Sequence, residues 1–385
     1  MNEYIKQYIL EKAKVCKIGI WGTGKCAYIA QSVLHEINID NYVYIDNDIS
    51  KQGSVFHDKQ VVSPLVIDKD WFILISNQFF REISLQLESK EMHELKHYIW
   101  AFELDYYDGL IHYQNAPMVP DITFNDLDQI EEMLSKCTSV KKIDWFNEEK
   151  FTQFEQSINF SQEYLKGVNK RYRRKIMEYF IVNELLNFDN WNSQDIYIDI
   201  GAASSPFAIY LREKLGLKAF ALDLEQGIYK DKEYYLQEDA THMHFEDNSV
   251  KAMSIQSAFE MFVGTADINF INEAARVLKP GGKVIILPLY MHKKFLSTVS
   301  PNFYHKGFAD VGALECIRTD CRGGVPLGRF YSVNKLNERV ITQAEKSGLS
   351  TKVLTLPNEF VEKDGLIYFK FILVLQKMGE CDDRG

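Results

Sequence analysis

No apolar run in this chain approaches the ~20 residues that a bilayer-spanning helix needs. The first 14 residues, MNEYIKQYILEKAK, scatter charges among apolar side chains, unlike a signal peptide. Cysteine is scarce as well. Cys16, Cys26, Cys137, Cys316, Cys321 and Cys381 lie too far apart for a disulfide scaffold. Cys316 and Cys321 have no second pair at zinc-ligand spacing, so no metal is expected. Together these features predict a protein of a reduced, cytoplasmic compartment with no transmembrane segment. Basic charge is not in excess either. Lys plus Arg total 44 against 54 Asp plus Glu, a formal charge of −10, which argues against a general nucleic-acid binder. Low-complexity tracts and clear internal repeats are absent. What remains is 46% hydrophobic and 25% charged, ordinary for a folded chain, with 13% aromatic residues. A length of 385 residues predicts two or three domains.

Two stretches alternate apolar strands with helical periodicity, the pattern of a parallel sheet covered on both faces. In the first, KIGIW, NYVYID (41–46), KQVVSP (59–64), DWFILIS (70–76) and HYIWAF (97–102) read as strands, with helices at 1–14, 25–37 and 78–90. In the second, DIYIDIG (195–201), LKAFALD (217–223), EYYLQED (233–239), KAMSIQS (251–257) and KVIILPLY (283–290) are strands. Helices are expected there at 205–216, 267–278 and 332–348, with closing strands at STKVLTL and 366–377. Between the two, segments such as DLDQIEEMLSKC and KRYRRKIMEYFIVNELL space apolar residues three and four apart, as helices do. The expected fold class is α/β: two tandem Rossmann-like three-layer units, residues 1–108 and 191–378, joined by a helical connector or cap, 109–190, with a tail at 379–385.

The second unit carries the stronger signals. Its first strand runs into IDIGAASSP (198–206), where small residues let a ligand approach the backbone and the next helix presents free N–H groups. Asp223 ends the following strand, where a carboxylate can accept ribose hydroxyls. Asp239 ends the third strand and is followed by Ala240, a position suited to an adenine amino group. Then come DNSVKAMSIQSAFEMF (247–262) and INEAARVLKPGGKVIILPLY (271–290).

On these residues, and on RVLKPGG (276–282) most specifically, the chain resembles the S-adenosylmethionine-dependent methyltransferases of Rossmann-like fold. The resemblance is close over 190–290 and loose to 377. It implies S-adenosylmethionine as cofactor. Asp199, Gly201, Ala202 and Ala203 would lie around its methionine portion, Asp223 and Leu224 at the ribose, and Asp239 and Ala240 at the adenine. Gln256 and Ser257 would face the sulfonium and the acceptor, and Glu260 matches the Glu of the family's "EH" pair. Four departures stand out: Ala203 and Ser205 replace glycines, Lys251 replaces an acid, and Met261 replaces the histidine of "EH". The acceptor should meet the insertion at 290–331, which holds His292, Tyr304, His305, Asp310, Asp320, Arg322 and Arg329, a set suited to a polar or phosphorylated small molecule. His292, just past the fifth strand, and Glu260 are the catalytic candidates.

In the first unit, IWGTGKCA places Gly22, Gly24 and Ala27 in a G-x-G-x-x-A arrangement after a strand, with Asp46 ending the next. The stretch IDNDISKQGSVFHDKQVVSP (45–64) resembles small Rossmann-like domains of bacterial surface-glycan proteins. That resemblance implies a second nucleotide-type site or a scaffold. The leading expectation is methyl transfer to a small polar acceptor, best a sugar hydroxyl in surface-glycan or polysaccharide biosynthesis. The alternative is a nucleotide-sugar-binding or regulatory protein with a non-catalytic second unit. Neither reading sets the oligomeric state.

Overall fold

The computed structural model describes residues 3–144, 147–158, 172–306, 309–319, 327–358, 361 and 369–379. The chain divides into two compact units. Unit 1 comprises Met1–Met118 with Val299–Phe308 and Cys316–Pro326, and unit 2 comprises Val119–Thr298, Ala309–Glu315 and Leu327–Gly385.

In unit 1, α1 (Glu3–Val15) precedes β1 (Lys17–Trp21), α2 (Ala27–Glu36), β2 (Tyr42–Ile45), β3 (Val55–Phe56), β4 (Lys59–Val62), β5 (Trp71–Ile75), α3 (Phe80–Glu88), β6 (Tyr98–Trp100) and α4 (Leu104–His112). The sheet order is β3-β4-β2-β1-β5-β6, parallel except for the β3–β4 hairpin. Side-chain alternation divides the core between the two faces. Ile18, Ile20, Phe72 and Leu74 pack on one side, and Trp21, Trp71, Ile73 and Ile75 on the other. The chain leaves β1 toward β2 and β4, then returns to β5 on the opposite side. The order therefore reverses between β1 and β5, which is where open α/β sheets open a ligand crevice.

Unit 2 contains α5 (Phe124–Leu134), β7 (Ser139–Lys142), α6 (Glu148–Ser157), α7 (Tyr172–Leu186), β8 (Ile196–Ile200), α8 (Phe207–Leu215), β9 (Lys218–Asp223), β10 (Tyr235–Gln237), β11 (Val250–Gln256), α9 (Ala266–Val277) and β12 (Leu278–Leu289). After short strands β13 (Leu296–Val299), β14 (Leu314–Ile317) and β15 (Leu327–Phe330) comes α10, a helix over 333–346 that holds a π turn at Asn337–Ile341. Strands β16 (Leu349–Thr355) and β17 (Phe371–Lys377) close the sheet. Its order is β10-β9-β8-β11-β12-β17-β16-β7. Strands β8 to β12 are mutually parallel, and β17 runs antiparallel to both of its neighbours. The switch point lies between β8 and β11. Ile198, Ile200, Met253 and Ile255 face a core shared with α9, whose apolar residues Phe270, Ile271, Ala274 and Val277 recur at helical spacing. Tyr197 and Ala252 face the opposite core, covered by Ile176, Met177, Tyr179 and Phe180 of α7.

The α/β class expected from sequence is what the structure has, and three local expectations change. The connector is not wholly helical, because Ser139–Lys142 forms β7, parallel to β16. The KPGG turn does not precede the fifth strand but bulges out within it. Val250 pairs with Leu278 and Ala252 already pairs with Lys283, so residues 279–282 have no counterpart on β11. Arg329 and Asp310, expected to face an acceptor, are buried against each other. Arg329 is wholly buried and forks onto Asp310 at 2.7 and 2.8 Å. It also lies 3.2 Å from Asp267, which Arg339 and the Tyr331 hydroxyl approach as well. A buried guanidinium so completely engaged has no donor left for a substrate. Tyr304 and His305, as side chains, and Asp320 and Arg322 lie outside the described residues.

Removing Arg329 would leave buried Asp310 without its cation, while Asp267 keeps Arg339. Arg329→Met should lower the unfolding free energy by about 3–5 kcal/mol, read from urea denaturation. A loss below about 1 kcal/mol would show that the cluster is solvated.

Candidate cofactor and methyl-transfer site

The site in unit 2 starts from one buried acid. Asp199 sits next to the end of β8 and is 1% exposed. Alternation puts it on the same face as Tyr197, and on β11 it puts Ser254 and Gln256 there too. A polar line results. Tyr197 meets the Ser254 hydroxyl, Gln256 Nε2 donates to Ser254 Oγ at 2.9 Å and to Asp199 Oδ1 at 3.1 Å, and the Ser205 hydroxyl donates to Asp199 Oδ2 at 2.7 Å. Burial pushes the Asp199 carboxyl up to about 6, while Ser205, Gln256 and Lys175 pull it down and Glu178 pushes it further up. Gln256 is 7% exposed, and its Oε1 has no hydrogen-bond partner among the described residues. A buried acceptor left open beside a buried acid is a place prepared for a donor.

The turn after β8 is shaped by close approach. Gly201 has φ +66°, and a Cβ there would lie 2.4 Å from Ala258 Cβ. Ala202 is buried, whereas Ala203, at φ +42°, is exposed. The Ala203 N–H donates to Asp223 Oδ2 at 2.7 Å, and Glu225 N–H donates to Oδ1 at 3.0 Å. Asp223 therefore ties the end of β9 to the turn after β8. Each of its oxygens has one backbone donor and a further lone pair. Ile228 N–H donates to Ser204 Oγ at 3.0 Å, which holds the loop after Asp223 against the turn. A small cleft opens here, lined by Ala202, Ala203, Asp223, Gly227 and Tyr235 among others.

The remaining sequence candidates are less centrally placed. Leu224 is 66% exposed. Asp239 is exposed and accepts Thr241 N–H at 2.8 Å, while Ala240 is buried beneath it. Ser257 adopts φ +54° directly after β11. Glu260 lies on the 3-10 turn Phe259–Met261 just beyond it. His292 is 6% exposed, and its Nδ1 accepts Lys294 N–H at 3.0 Å. Burial lowers its pKa, so the ring is neutral near pH 7. A neutral imidazole whose Nδ1 lone pair is engaged carries its proton on Nε2. His292 thus has no lone pair free to take a proton in this state. Sequence reading missed Glu178 and Lys175 of α7, which pack against this site.

In unit 1, the crevice at the ends of β1, β2 and β5 is a cleft of about 590 Å³, lined by Gly22, Thr23, Gly24, Asp46, Lys51 and Asn77 among others. Gly22 has φ +123°, and a Cβ there would meet Ser76 O at 3.0 Å. Ala27 begins α2 and is buried. Asp46 is already engaged. Its Oδ2 takes Thr23 N–H at 3.3 Å, the Thr23 hydroxyl and Lys51 Nζ at 3.2 Å, and its Oδ1 takes Asp48 N–H at 2.9 Å. Burial alone would raise the Asp46 carboxyl, but these donors hold it below its ordinary value. Among the described residues, no group of three or more His, Cys, Asp or Glu is placed to hold a metal, and no helix is long and apolar enough to cross a membrane.

Residues 198–286 match the family model described as "Methyltransferase domain". No curated protein matches the chain. Among solved structures, it is similar to 1,6-didemethyltoxoflavin-N1-methyltransferase of Burkholderia thailandensis, determined with S-adenosylhomocysteine. Identity is 10%, the TM-score is 0.38, and the match covers 68% of this chain and 93% of that one. It is also similar to an S-adenosylmethionine-dependent methyltransferase of Mesorhizobium loti, at 12% identity and TM-score 0.36, covering 51% and 97%. A further match is the one from Aquifex aeolicus, at 13% and 0.33, covering 57% and 99%. Within the second α/β unit, residues 198–286 thus match a methyltransferase domain.

The raised Asp199 pKa has a defined sign in stability. The folded state binds that proton more tightly than the unfolded chain, so the contribution of Asp199 to stability is greatest below pH ~4 and falls as pH rises through about 6. In the difference between wild type and Asp199→Asn, this loss should amount to about 1–3 kcal/mol. Denaturation at pH 4 and pH 7 measures it, and an identical pH dependence in both proteins would refute the burial argument.

Proposed function

We propose that the chain transfers the methyl group of S-adenosylmethionine to a small polar acceptor, and that the acceptor is a sugar hydroxyl in surface-glycan (polysaccharide) biosynthesis. The observation that carries the reading is the Asp199–Gln256 pair at the switch point, with its open amide oxygen. In this reading the residues offer the cofactor the following groups. Asp223 offers lone pairs to ribose hydroxyls, and Asp239 and Ala240 lie beyond it toward the sheet edge for the adenine. The turn Gly201–Ala203 allows backbone approach for the amino-acid portion, and Gln256 Oε1 offers an acceptor to its ammonium. When bound, the cofactor supplies a methyl group on a sulfonium for in-line displacement. The chain's own contribution is then alignment in a pocket closed to water, the larger part of what such a reaction requires.

A hydroxyl acceptor also releases a proton. With His292 capped by Lys294, we assign that proton to Glu260, on the turn directly after β11. The sugar class is supported by the resemblance of residues 15–102 to domains of surface-glycan proteins. The unit 1 cleft is of a size for a nucleotide or nucleotide-sugar. Asp46 already takes three donors on Oδ2 and one on Oδ1, so the turn at Gly22–Gly24 would do more than that acid to hold such a ligand.

Asp223→Ala should weaken S-adenosylmethionine binding by about 1–3 kcal/mol, the scale of lost hydrogen bonds to a charged group. Calorimetry showing unchanged affinity would remove Asp223 from the site. Turnover is tested by measuring S-adenosylhomocysteine release over a panel of sugars and nucleotide-sugars. Cofactor binding with no turnover on any of them would favour the regulatory reading. With a competent acceptor, Glu260→Gln should lower kcat about 100-fold while cofactor affinity stays constant.

A further inference from the structure

Unit 2 has a second recess, which shares no lining residue with the cleft at Asp223. It lies across β12, β17, β16 and β7, beside the last turn of α7, and holds about 430 Å³. Strand register shows which side chains share its face. Lys283 on β12 pairs across to Gln376, and Gln376 to Ser350. Two residues further along each strand, Ile285 pairs with Val374, Val374 with Lys352, and Lys352 with Ser139. Two further still, Leu354 lies opposite Lys141. Side-chain alternation puts all of these on one face of the sheet.

The floor of the recess is aliphatic. Ile143, Ile285 and Leu354 are buried beneath it, and Leu185 and Val374 are half-buried at its surface. Among the described residues no aromatic ring lines it. The rim is basic. Lys141, Lys283 and Lys352 line it, and among the described residues no carboxylate does and none of the three lysines is paired with an acid. Lys142 also lines it, but lies near enough to Asp128 to lower the pKa of that acid. In a chain of formal charge −10, lysines gathered without counter-ions make a local attraction for anions. Two inter-strand steps and two residues along the strand put the Lys283 and Lys352 backbones roughly 12 Å apart. Their long side chains can therefore converge on a single anionic group.

We infer that this recess binds one aliphatic phosphate, its hydrocarbon body over Leu185 and Val374 and its phosphate group between Lys283 and Lys352. The volume is within the range of roughly 300–1,000 Å³ that holds single small molecules. Each ammonium offers the phosphate a point charge and three donors. An aliphatic floor suits a hydrocarbon chain, whereas a nucleobase gains its affinity by stacking on aromatic rings that this recess lacks. A bare phosphate would leave the floor in water, and a bare hydrocarbon would leave the ammoniums without a partner. This inference stands independently of the methyl-transfer reading.

Calorimetric titration of the full chain with decyl phosphate, below the concentration at which it forms micelles, tests this. Binding should saturate at about one molecule per chain and weaken as salt is raised. Decanol and inorganic phosphate should each bind at least about tenfold more weakly, because each meets only the floor or only the rim. Lys352→Glu should weaken decyl phosphate about tenfold, and Lys283→Gln about threefold or more, with the thermal midpoint of unfolding unchanged in both. No saturable binding, or equal affinity in the wild type and both variants, would overturn the inference. So would adenosine monophosphate binding as tightly as decyl phosphate with the same losses in the variants, since that makes the recess a nucleotide site. Binding only to phosphatidylglycerol vesicles, with none to free decyl phosphate, would make it a membrane contact and overturn the inference as well.

Discussion

The organisation of unit 2 depends on keeping a carboxylate out of water at the point where strand order reverses. Asp199 has almost no exposure, and an isolated buried carboxylate is strongly disfavoured. The surrounding sequence compensates from three sides. Ser205 comes from the turn after β8, Gln256 from the end of β11, and Lys175 from α7. Ser205 is local, six positions on, but Gln256 and Lys175 are distant from Asp199 along the chain. Their convergence requires β8 beside β11 in register and α7 across that face. The acid therefore couples the glycine turn, the fourth parallel strand and the preceding helix into one arrangement. An added donor at Gln256 Oε1 would complete it.

Much of this fold was legible because buried parallel strands are nearly continuous apolar runs. IYIDI, KAFALD and VKAMSIQ announce themselves by composition, and the acids that interrupt them fall at or near their C-terminal ends, where ligands bind. SVKK had no such signal. As an edge strand it needs only one neighbour, and its lysines serve solubility at an exposed rim, so it reads as loop or helix. The KPGG bulge was equally hidden, since a turn motif predicts a change of direction but not that pairing resumes on the same strand. Glu178 was obscured for a different reason. It stands in KRYRRKIMEYFIVNELL, whose apolar spacing predicts a helix but does not say that one of its carboxylates faces inward. Its own complete burial, beside Met177 and Tyr179, shows that it does. Arg329 and Asp310 misled in the opposite sense. Charged residues in an insertion suggest substrate, yet 19 positions apart they satisfy each other in the interior.

Two units built on the same strand logic invite a comparison of their second-strand acids. In each, the acid at the end of the second strand accepts a backbone N–H from the turn after the first. Thr23 donates to Asp46, and Ala203 donates to Asp223. This shared bond is structural. It closes the first βα turn onto the neighbouring strand and would persist with no ligand at all. An acid at that position is therefore insufficient to assign a ribose contact. What separates the two is the remaining coordination. Asp46 adds a hydroxyl, a second backbone N–H and the Lys51 ammonium, which neutralises it. Asp223 adds only Glu225 N–H, and among the described residues no cation pairs with it. Asp223 keeps an open lone pair on each oxygen and can still recognise two hydroxyls, whereas Asp46 has three donors on Oδ2 and only Oδ1 open to one more, so it meets a second hydroxyl only by giving up an internal bond. The two acids occupy the same place in their units, and their chemistry differs because of the neighbouring residues on the C-terminal side. These are Asn47, Asp48 and the lysine at position 51 in one unit, and Leu224 and Glu225 in the other. For acids of this kind, donor count, more than spacing from the glycine turn, separates a binding residue from a structural one.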